Sequence, residues 1–302
     1  MYDSINMYYS FEDYPTVDFS CFKQGLSNFQ YTQKDNADYY CSGTLNNLKC
    51  TYSERGISVK GSLCKYNYGY NFNTLSKRET SNTIGRLTDQ LGFDIYKAKC
   101  SRIDFSTNFK MSQNVTKYYI YLLHLSRFKR HVQSDSLYFN QAGKNLVFYD
   151  KIKEAKAKRV PIPNEYKGTN LLRYELRLKS KEIKKQFNRV ILLEDLATDE
   201  VYNHLVKVWE SYYNAIDKKQ TIQLPISTIK TPKDIKEHIY TLYCQQHPED
   251  IMEVIESAVF NTTESRNRAR SDFRKNLKKA IGEESIIAEL NEKVKNTALS
   301  LI

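Results

Sequence analysis

The alternation of apolar and polar positions between residues 100 and 180 predicts several short strands. Residues 101–109 and 170–179 alternate with a period of two, which is typical of half-buried strands. Residues 136–141 and 145–151 are two further β-prone runs, and the Ala-Gly-Lys sequence between them favours a tight turn. These two runs therefore predict a β-hairpin.

Helical segments separate these strands at two places. Residues 112–131 predict a helix, with Ser112 or Asn114 as the expected N-cap. Residues 153–159 predict a short helix that ends before the prolines that follow. The resulting β-α-β-β-α-β order is the split, ferredoxin- or RRM-like arrangement. In such a sheet we expect the first strand to lie between the third and the fourth.

The segments on either side complete an α+β prediction with an antiparallel sheet. The first hundred residues favour short strands, and residues 79–93 predict a helix that ends near Gly92. After residue 181 the pattern becomes helical. We therefore predict an α+β domain over residues 1–222 and a basic, α-helical region over residues 223–302.

Helix-start signals support the helical prediction for the C-terminal region. Thr231 followed by Pro232 combines an N-cap residue with a proline at the first helical position. A second helix is expected to begin near Pro248, and a basic helix after Thr263.

The composition excludes several classes of protein. The chain has 302 residues, 40% hydrophobic residues and a mean hydropathy of −0.63, and it lacks an apolar run of about 18 residues. Its first ten residues lack the basic and apolar regions of a signal peptide. The six cysteines show no metal-binding spacing, so we expect reduced thiols. These features predict a cytoplasmic protein with no membrane partner.

The charge points to a polyanionic partner. The formal net charge is +11, and residues 150–190 carry 13 basic against 5 acidic residues. Residues 264–280 carry 7 basic and 2 acidic residues. Basic clusters of this kind commonly follow a phosphate backbone, and the 24 tyrosines could stack on unpaired bases. Solvated helix faces and core aromatic residues are the alternative interpretation.

Two polar rows on the predicted strands form the candidate chemistry. One face of 101–109 carries Arg102, Asp104, Ser106 and Asn108, and one face of 170–179 carries Arg173, Glu175 and Arg177. From the expected strand order, Asp104 would lie between the strand that carries Tyr149 and the strand that carries Glu175. Converging carboxylates suit Mg²⁺ or Mn²⁺, which prefer oxygen ligands.

A tyrosine beside such a site could attack phosphorus and leave a 5′-phosphotyrosine and a free 3′-hydroxyl. Tyr149 is the candidate nucleophile, and Lys151 could help it to ionise. Glu154 could join the metal site only if the chain turns after Lys151. Tyr174 points to the apolar face, so we expect it in the core. A salt-bridge ladder and a packing tyrosine are the alternatives to an active site.

Three segments in this order and spacing resemble the phage and plasmid replication initiators of the filamentous-phage gene II type, and more loosely the plasmid rolling-circle initiators. They are "CSRIDFSTNF", "NLVFYDKIKE" and "NLLRYELRLKSKEIKKQF", and the resemblance covers roughly residues 55–190. It implies a site- and strand-specific nicking and joining enzyme with Tyr149 as nucleophile. Asp104, Glu154 and Glu175 match the acidic positions. The His-hydrophobic-His metal pair of related enzymes is missing.

The sequence therefore predicts a metal-dependent endonuclease that nicks and rejoins one strand at a replication origin. The residues expected to contact DNA are Arg102, Arg173, Arg177, Lys153, Lys179, Arg268 and Arg270. Expected partners are origin DNA, a host helicase and a host polymerase. The sequence leaves open whether the protein forms a homodimer. The alternative is an origin-binding protein without catalysis. A tyrosine recombinase needs an Arg/His/Arg cluster, for which the sequence offers no good candidate.

Overall fold

The structure, a computed structural model, describes residues 1–33, 39–218, 229–278 and 286–302. The chain divides into two compact units. The first comprises residues 1–218 with 290–302, and the second comprises residues 219–289. The predicted domain boundary between residues 222 and 223 lies outside the described residues.

Strands dominate the first unit. They are β1 (Tyr2–Ser10), β2 (Ser27–Gln33), β3 (Tyr39–Leu45), β4 (Leu48–Ser53), β5 (Gly56–Ser62), β6 (Lys99–Met111), β7 (Leu122–His124), β8 (Lys129–Val132), β9 (Ser136–Gln141), β10 (Lys144–Asp150), β11 (Asn170–Lys179) and β12 (Asp217–Lys218). The strands and the hairpin predicted between residues 101 and 179 are confirmed.

The described helices lie between the strands and after them. They are α1 (Phe19–Gln24), α2 (Leu63–Tyr68), α3 (Lys77–Leu91), α4 (Thr116–Tyr119), α5 (Lys151–Ala157), α6 (Ser180–Phe187), α7 (Asp199–Asn214), α8 (Pro232–Gln246), α9 (Pro248–Ser257), α10 (Thr263–Lys278) and α11 (Ile286–Leu301). Helix α3 ends at Gly92, whose φ of 71° suits a glycine, as the sequence predicts. Among the described helices, none combines the length and apolar character that a membrane span requires.

Within the described part of the chain, ten strands form one antiparallel sheet. Their order is β2-β3-β4-β5-β1-β6-β11-β10-β9-β8. The N-terminal strand β1 lies inside the sheet, where it pairs with β5 on one side and β6 on the other. The coarse prediction of an α+β protein with a large antiparallel sheet and C-terminal helices is confirmed.

Helix α7 covers one face of this sheet and builds the core there. Its Trp209 stacks on Tyr174 of β11, with ring centroids 4.9 Å apart. Tyr174 in turn stacks on Phe148 of β10 at 4.6 Å, and all three side chains are fully buried. Helix α7 therefore covers the apolar face of β10 and β11, and the polar side chains of these strands lie on the opposite face of the sheet. Tyr174 lies in the core, as predicted.

The helix predicted over residues 112–131 is wrong. Asn114 accepts a hydrogen bond from the backbone N–H of Thr116 at 3.1 Å, but only the short helix α4 follows, and its N-cap residue is Val115. The chain then forms β7 and β8, and β8 pairs with β9 at the edge of the sheet. Arg127 between them has a φ of 68°, which is incompatible with a continuous helix. Pairing with a free strand edge has overridden local helical propensity.

The predicted strand order is also wrong, and the split β-α-β-β-α-β unit is not confirmed. We expected β6 to lie between β10 and β11, but β11 lies between β6 and β10. The other edge of β6 is occupied by β1, a strand that the pattern within residues 100–180 does not include.

The second unit is a small helical cluster. Its described core contains Cys244, Ile255 and Phe273, contributed by α8, α9 and α10. Thr231 caps α8 in a reciprocal pair with Asp234, as the start signal predicts. The predicted helix starts near Pro248 and Thr263 are confirmed.

Candidate active site

Three neighbouring strands present the candidate site on the face opposite helix α7. Residues that face each other across antiparallel strands lie on the same face of the sheet. Asp104 of β6 is opposite Arg177 of β11, and Tyr149 of β10 is opposite Arg173 of β11. Glu175 lies between the two arginines, because alternate residues of β11 share a face. The structure thus brings Asp104, Glu175 and Tyr149 to one surface.

Asp104 is a buried carboxylate held by one arginine. It is 2% exposed, and its two oxygens accept hydrogen bonds from Nε and Nη2 of Arg102 at 2.7 and 2.6 Å. Burial, aided by the nearby negative charge of Glu175, raises the pKa of Asp104 to about 7 in spite of the Arg102 contact. The anionic form of Asp104 is therefore destabilised in this position, and a further cation would stabilise it.

Glu175 joins the carboxylates to the tyrosine. It is 3% exposed, and Nε of Arg177 donates to its Oε1 at 2.7 Å. Its Oε2 lies 3.7 Å from Nε of Arg173 and accepts a hydrogen bond from the Tyr149 hydroxyl at 3.4 Å. Glu175 is thus a carboxylate acceptor in contact with the candidate nucleophile.

Arg173 is fully buried and ties several segments together. Its Nη2 lies 2.7 Å from Asp3 on β1 and donates to Ser106 at 2.7 Å, while Nη1 donates to the carbonyl of Asn71 at 2.7 Å. Burial acts to raise the pKa of Asp3, but Arg173 and the Ser62 hydroxyl outweigh it and the net shift is downward. This burial favours a role for Arg173 in orienting Glu175 rather than the contact with DNA that the sequence predicts.

Tyr149 lies on the polar face at the end of β10 and is half-buried. Burial raises the pKa of its phenol well above the usual range, Arg173 opposes this shift, and the charge of Glu175 adds to it. The ammonium of Lys151 lies 6.0 Å from the centre of the ring. The phenol is therefore protonated in the free protein, and an attack on phosphorus requires a base or added positive charge.

Helix α5 begins directly after this strand and turns the chain back over the site. The side chain of Asp150 caps it by accepting hydrogen bonds from the backbone N–H groups of Ile152 and Lys153, both at 3.0 Å. The turn that Glu154 needs in order to approach the polar face is therefore present.

Lys151 and Glu154 form an ion pair within α5. Lys151 is 1% exposed, and its Nζ donates to Glu154 and to the side chain of Asn71, both at 2.8 Å. Burial and the charge of Arg173 lower the pKa of Lys151 to about 8. Burial acts to raise the pKa of Glu154, but Lys151 and Lys158 outweigh it and bring it to about 2. Lys151 can therefore exchange a proton near neutral pH, whereas Glu154 stays an anion.

Two open cavities meet at Tyr149. One, of about 300 Å³, is lined by Tyr149 with Asp104, Glu175 and Asp3, and it includes Arg102 in its wall. The other, of about 240 Å³, lies on the far side of Tyr149, toward β9. Tyr149, Glu154, Lys158 and Arg177 line both. A strand of nucleic acid that crosses the site can thus pass on either side of the phenol.

The carboxylates fit a divalent cation only in part. Asp104 and Glu175 offer neighbouring oxygen donors, and Mg²⁺ is often bound through one or two carboxylates together with substrate phosphates. Arg102 and Arg177 occupy these oxygens, but their side chains are 35% and 33% exposed and have room to turn toward solvent. Glu154 is held by two lysines instead. No group of three or more His, Cys, Asp or Glu able to hold a metal is found within the described ranges.

Comparison with known protein families identifies the chain. The family of the N-terminal region of the phage replication-associated protein, the gene II protein, matches residues 1–211, well over half of the sequence. The chain belongs to this family. The match confirms the resemblance to phage replication initiators of the gene II type, and it includes every residue of the site described above. No curated protein matches the sequence at a significant level.

In this gene II-type replication protein, the basic residues predicted to contact DNA lie in different surroundings. Arg102 and Arg177 line the 300 Å³ cavity and are bound to its carboxylates. Lys179 is exposed at the end of β11, opposite Arg102. Lys153 is exposed on α5 and pairs with Asp135 at 2.6 Å.

The two predicted contacts in the C-terminal region lie on α10, in the second unit. Arg268 is exposed. Arg270 donates from Nε and Nη2 to the carboxylate of Glu256 on α9, at 2.8 and 2.5 Å. Arg270 therefore stabilises the packing of α9 against α10 in addition to any contact with DNA.

Sequence reasoning missed the contribution of the N-terminal segment. Asp3 is 3% exposed and is the ion-pair partner of Arg173. The pairing of β1 with β6 shifts register between Tyr2 and Ile5, and such irregularities re-aim side chains. The alternation in "YDSINMYY" could have predicted the strand, but nothing local indicates that Asp3 meets an arginine 170 positions later in the sequence.

Proposed function

We propose that this protein of the gene II family nicks and rejoins one DNA strand at a replication origin, with Tyr149 as the nucleophile. The observation that carries the proposal is the position of Tyr149. Its hydroxyl contacts Glu175, and its side chain lies between two open cavities on the polar face. The basic residues around both cavities suit a phosphodiester backbone.

In the proposed step, the Tyr149 oxygen attacks the scissile phosphorus and forms a 5′-phosphotyrosine bond. The bond from phosphorus to the 3′-oxygen of the preceding nucleotide breaks, and this oxygen leaves as a 3′-hydroxyl. Glu175 is the acceptor in contact with the phenol and takes its proton. Lys151, with its pKa lowered to about 8, supplies a proton to the leaving oxygen.

The arginines keep this arrangement in place. Arg173 orients Glu175 from the buried side, and Arg177 binds it from the exposed side and reaches into the cavity. Asp104 and Glu175 are the residues that would hold Mg²⁺ or Mn²⁺, whose charge would favour the phenolate and polarise the phosphate. For this purpose Arg102 would release Asp104 and Arg177 would release Oε1 of Glu175, while Oε2 of Glu175 stays in contact with Tyr149.

Rejoining uses the same groups in reverse. A 3′-hydroxyl attacks the phosphotyrosine, Lys151 accepts its proton, and Tyr149 leaves with a proton returned by Glu175. The 3′-hydroxyl released by nicking would serve as the primer for a host polymerase, behind a host helicase. The reaction would take place in the cytoplasm of the bacterial host.

A second candidate function is origin binding without catalysis. The ion pairs of the site favour it, because Arg102 and Arg177 occupy the carboxylates and the pKa of Tyr149 is raised. In this interpretation the polar row is a salt-bridge ladder beneath a DNA-binding surface.

The Tyr149→Phe variant separates the two functions. We expect it to bind single-stranded origin DNA like the wild type, to form no covalent adduct in the presence of Mn²⁺, and to nick more than about 10³-fold more slowly. Mass mapping of the wild-type adduct should place the nucleotide on Tyr149.

Tyr138→Phe is the matched control, because Tyr138 lines the same 240 Å³ cavity and is also half-buried. Nucleotide on Tyr138, or nicking by Tyr149→Phe at the wild-type rate, would show that Tyr149 is not the nucleophile. Absence of any adduct with the wild-type protein would favour the binding function.

A further inference from the structure

A row of mostly basic side chains crosses the N-terminal half of the sheet, starting at the candidate site. Lys179 is opposite Arg102, Arg102 is opposite Asn6, Asn6 is opposite Lys60, and Lys60 is opposite Lys49. Directly paired residues share a face of the sheet, so these five side chains form one line across β11, β6, β1, β5 and β4. We refer to them as the cationic row.

The cationic row is accessible to a partner. Lys179, Lys60 and Lys49 are exposed, and Arg102 and Asn6 are partly exposed. Strands lie about 4.8 Å apart, so the part from Arg102 to Lys49 spans about 14 Å. This length can follow several phosphates of a nucleic acid strand.

The pairing of Lys60 with Lys49 indicates that the row binds an anion. Like charges directly opposite each other destabilise a sheet. In the described part of the chain no ion pair involves either lysine, and the row contains no carboxylate. A chain of phosphates along the row would relieve this repulsion.

A second row beside the first offers hydrogen-bonding groups. Tyr8 is opposite Ser58, Ser58 is opposite Thr51, and Thr51 is opposite Ser42. All four are partly exposed. Hydroxyl groups next to a line of cations suit the sugars and base edges of an unpaired strand better than they suit an apolar partner.

The cationic row is continuous with the candidate site. Arg102 belongs to the row and also lines the 300 Å³ cavity beside Tyr149. Asn47, in the turn just before Lys49, lines the same cavity. A strand that leaves the cavity past Arg102 therefore meets Lys60 and Lys49 next.

We propose that the cationic row is a track for single-stranded DNA, which holds the segment next to the scissile phosphate. This inference rests on the proposed function for the choice of DNA, and it extends the binding surface to β4 and β5. Sequence reasoning assigned no residue of these two strands to DNA binding.

The test is the salt dependence of oligo(dT) binding, measured by fluorescence anisotropy with probes of about 4 and about 20 nucleotides. Each phosphate contact on a single strand contributes about 0.7 to the slope of log K against log salt. The double variant Lys49→Ala/Lys60→Ala should therefore lose about 1.4 from the slope with the longer probe. Its affinity should rise less than that of the wild type when the probe is lengthened.

Lys117→Ala/Lys207→Ala is the matched control, with the same change in net charge on two exposed lysines of α4 and α7, outside the basic cluster of residues 150–190. We expect its slope to stay close to that of the wild type. The unfolding temperature of Lys49→Ala/Lys60→Ala should not fall, because the substitution removes a repulsion.

The proposal would be overturned if Lys49→Ala/Lys60→Ala kept the wild-type slope of log K against log salt. It would also be overturned if both double variants lost the same amount from this slope. An equal loss on duplex and single-stranded probes would overturn the choice of single-stranded DNA. The adduct at Tyr149 is measured separately. A missing adduct with the expected slope change would reject the nicking function alone, and an adduct without the slope change would reject the track alone.

Discussion

The two faces of β10 and β11 carry neighbouring tyrosines with opposite surroundings. On one face, Tyr174 stacks between Phe148 and Trp209, is fully buried, and donates its hydroxyl hydrogen bond to the carbonyl of Trp209 at 3.0 Å. On the other face, Tyr149 is half-buried, contacts Glu175 and borders two cavities. The two residue types are identical, and only their position in the strand alternation differs.

The two faces are stabilised in different ways, and only the polar face carries the candidate chemistry. The apolar face is stabilised by packing, such as the stacking of Tyr174 on Phe148 and Trp209. The polar face is stabilised by buried ion pairs, and removal of one partner of such a pair leaves an uncompensated charge. Substitutions on the two faces should therefore change different measured quantities.

The largest effect on stability is expected for Asp3→Asn. This substitution removes the carboxylate at 2.7 Å from the fully buried Arg173 and leaves only the more distant carboxylate of Glu175 at 3.7 Å, which should cost about 3 kcal/mol of unfolding free energy. Urea denaturation at unchanged m-value measures the loss.

Asp13→Asn is the control for Asp3→Asn. Asp13 pairs with Lys99 at the same distance of 2.7 Å, but both side chains are more than 40% exposed. The loss should be much smaller than for Asp3→Asn, because exposed ion pairs contribute little to stability. Equal losses in the two variants would show that burial of the polar face contributes little.

Asp104→Asn tests the difference between the two faces, because we expect it to change activity far more than stability. The asparagine keeps the size of the side chain, and Arg102 can turn to solvent. We expect covalent adduct formation in Mn²⁺ to fall about 100-fold and the unfolding free energy to change by less than about 1 kcal/mol. Adduct formation at the wild-type rate would assign Asp104 to the salt bridge alone.

The smallest effect on activity is expected for Tyr174→Phe. It removes the hydrogen bond to Trp209 and should cost about 1 kcal/mol of unfolding free energy. Covalent adduct formation should equal that of the wild type, in contrast to Tyr149→Phe. A lost adduct in Tyr174→Phe would show that the two faces are not independent.

Much of the fold could be predicted because its signals are local. The alternation in residues 101–109 and 170–179 placed Asp104 and Glu175 on polar faces, and the structure brings these faces together. A strand over residues 145–151 was also predicted, but the face that Tyr149 takes was left open and is decided by the pairing of β10 with β11. Start and stop signals such as Thr231 with Pro232, and Gly92, act within one turn of a helix. Such signals do not depend on distant parts of the chain.

The features that were predicted wrongly or overlooked have non-local causes. Strand β8 forms because β9 offers a free edge, and β7 pairs with β12 from a distant part of the chain, which no local pattern reveals. The order β6-β11-β10 depends on the insertion of β1 beside β6. Asp3 was missed for the same reason, because its role depends on the burial of Arg173 on a strand far along the chain.

By itself, the sequence determined which side chains share a face of each strand, because alternation is a property of the extended backbone. It also determined the basic character of the surface. Only the tertiary structure decided which strands are neighbours, and therefore which charges meet. It placed Arg102 and Arg177 on the carboxylates, Asp3 on Arg173, and two lysines opposite each other on β4 and β5. Electrostatic energy depends on distance in space, and that distance is set by the pairing of strands rather than by their order in the chain.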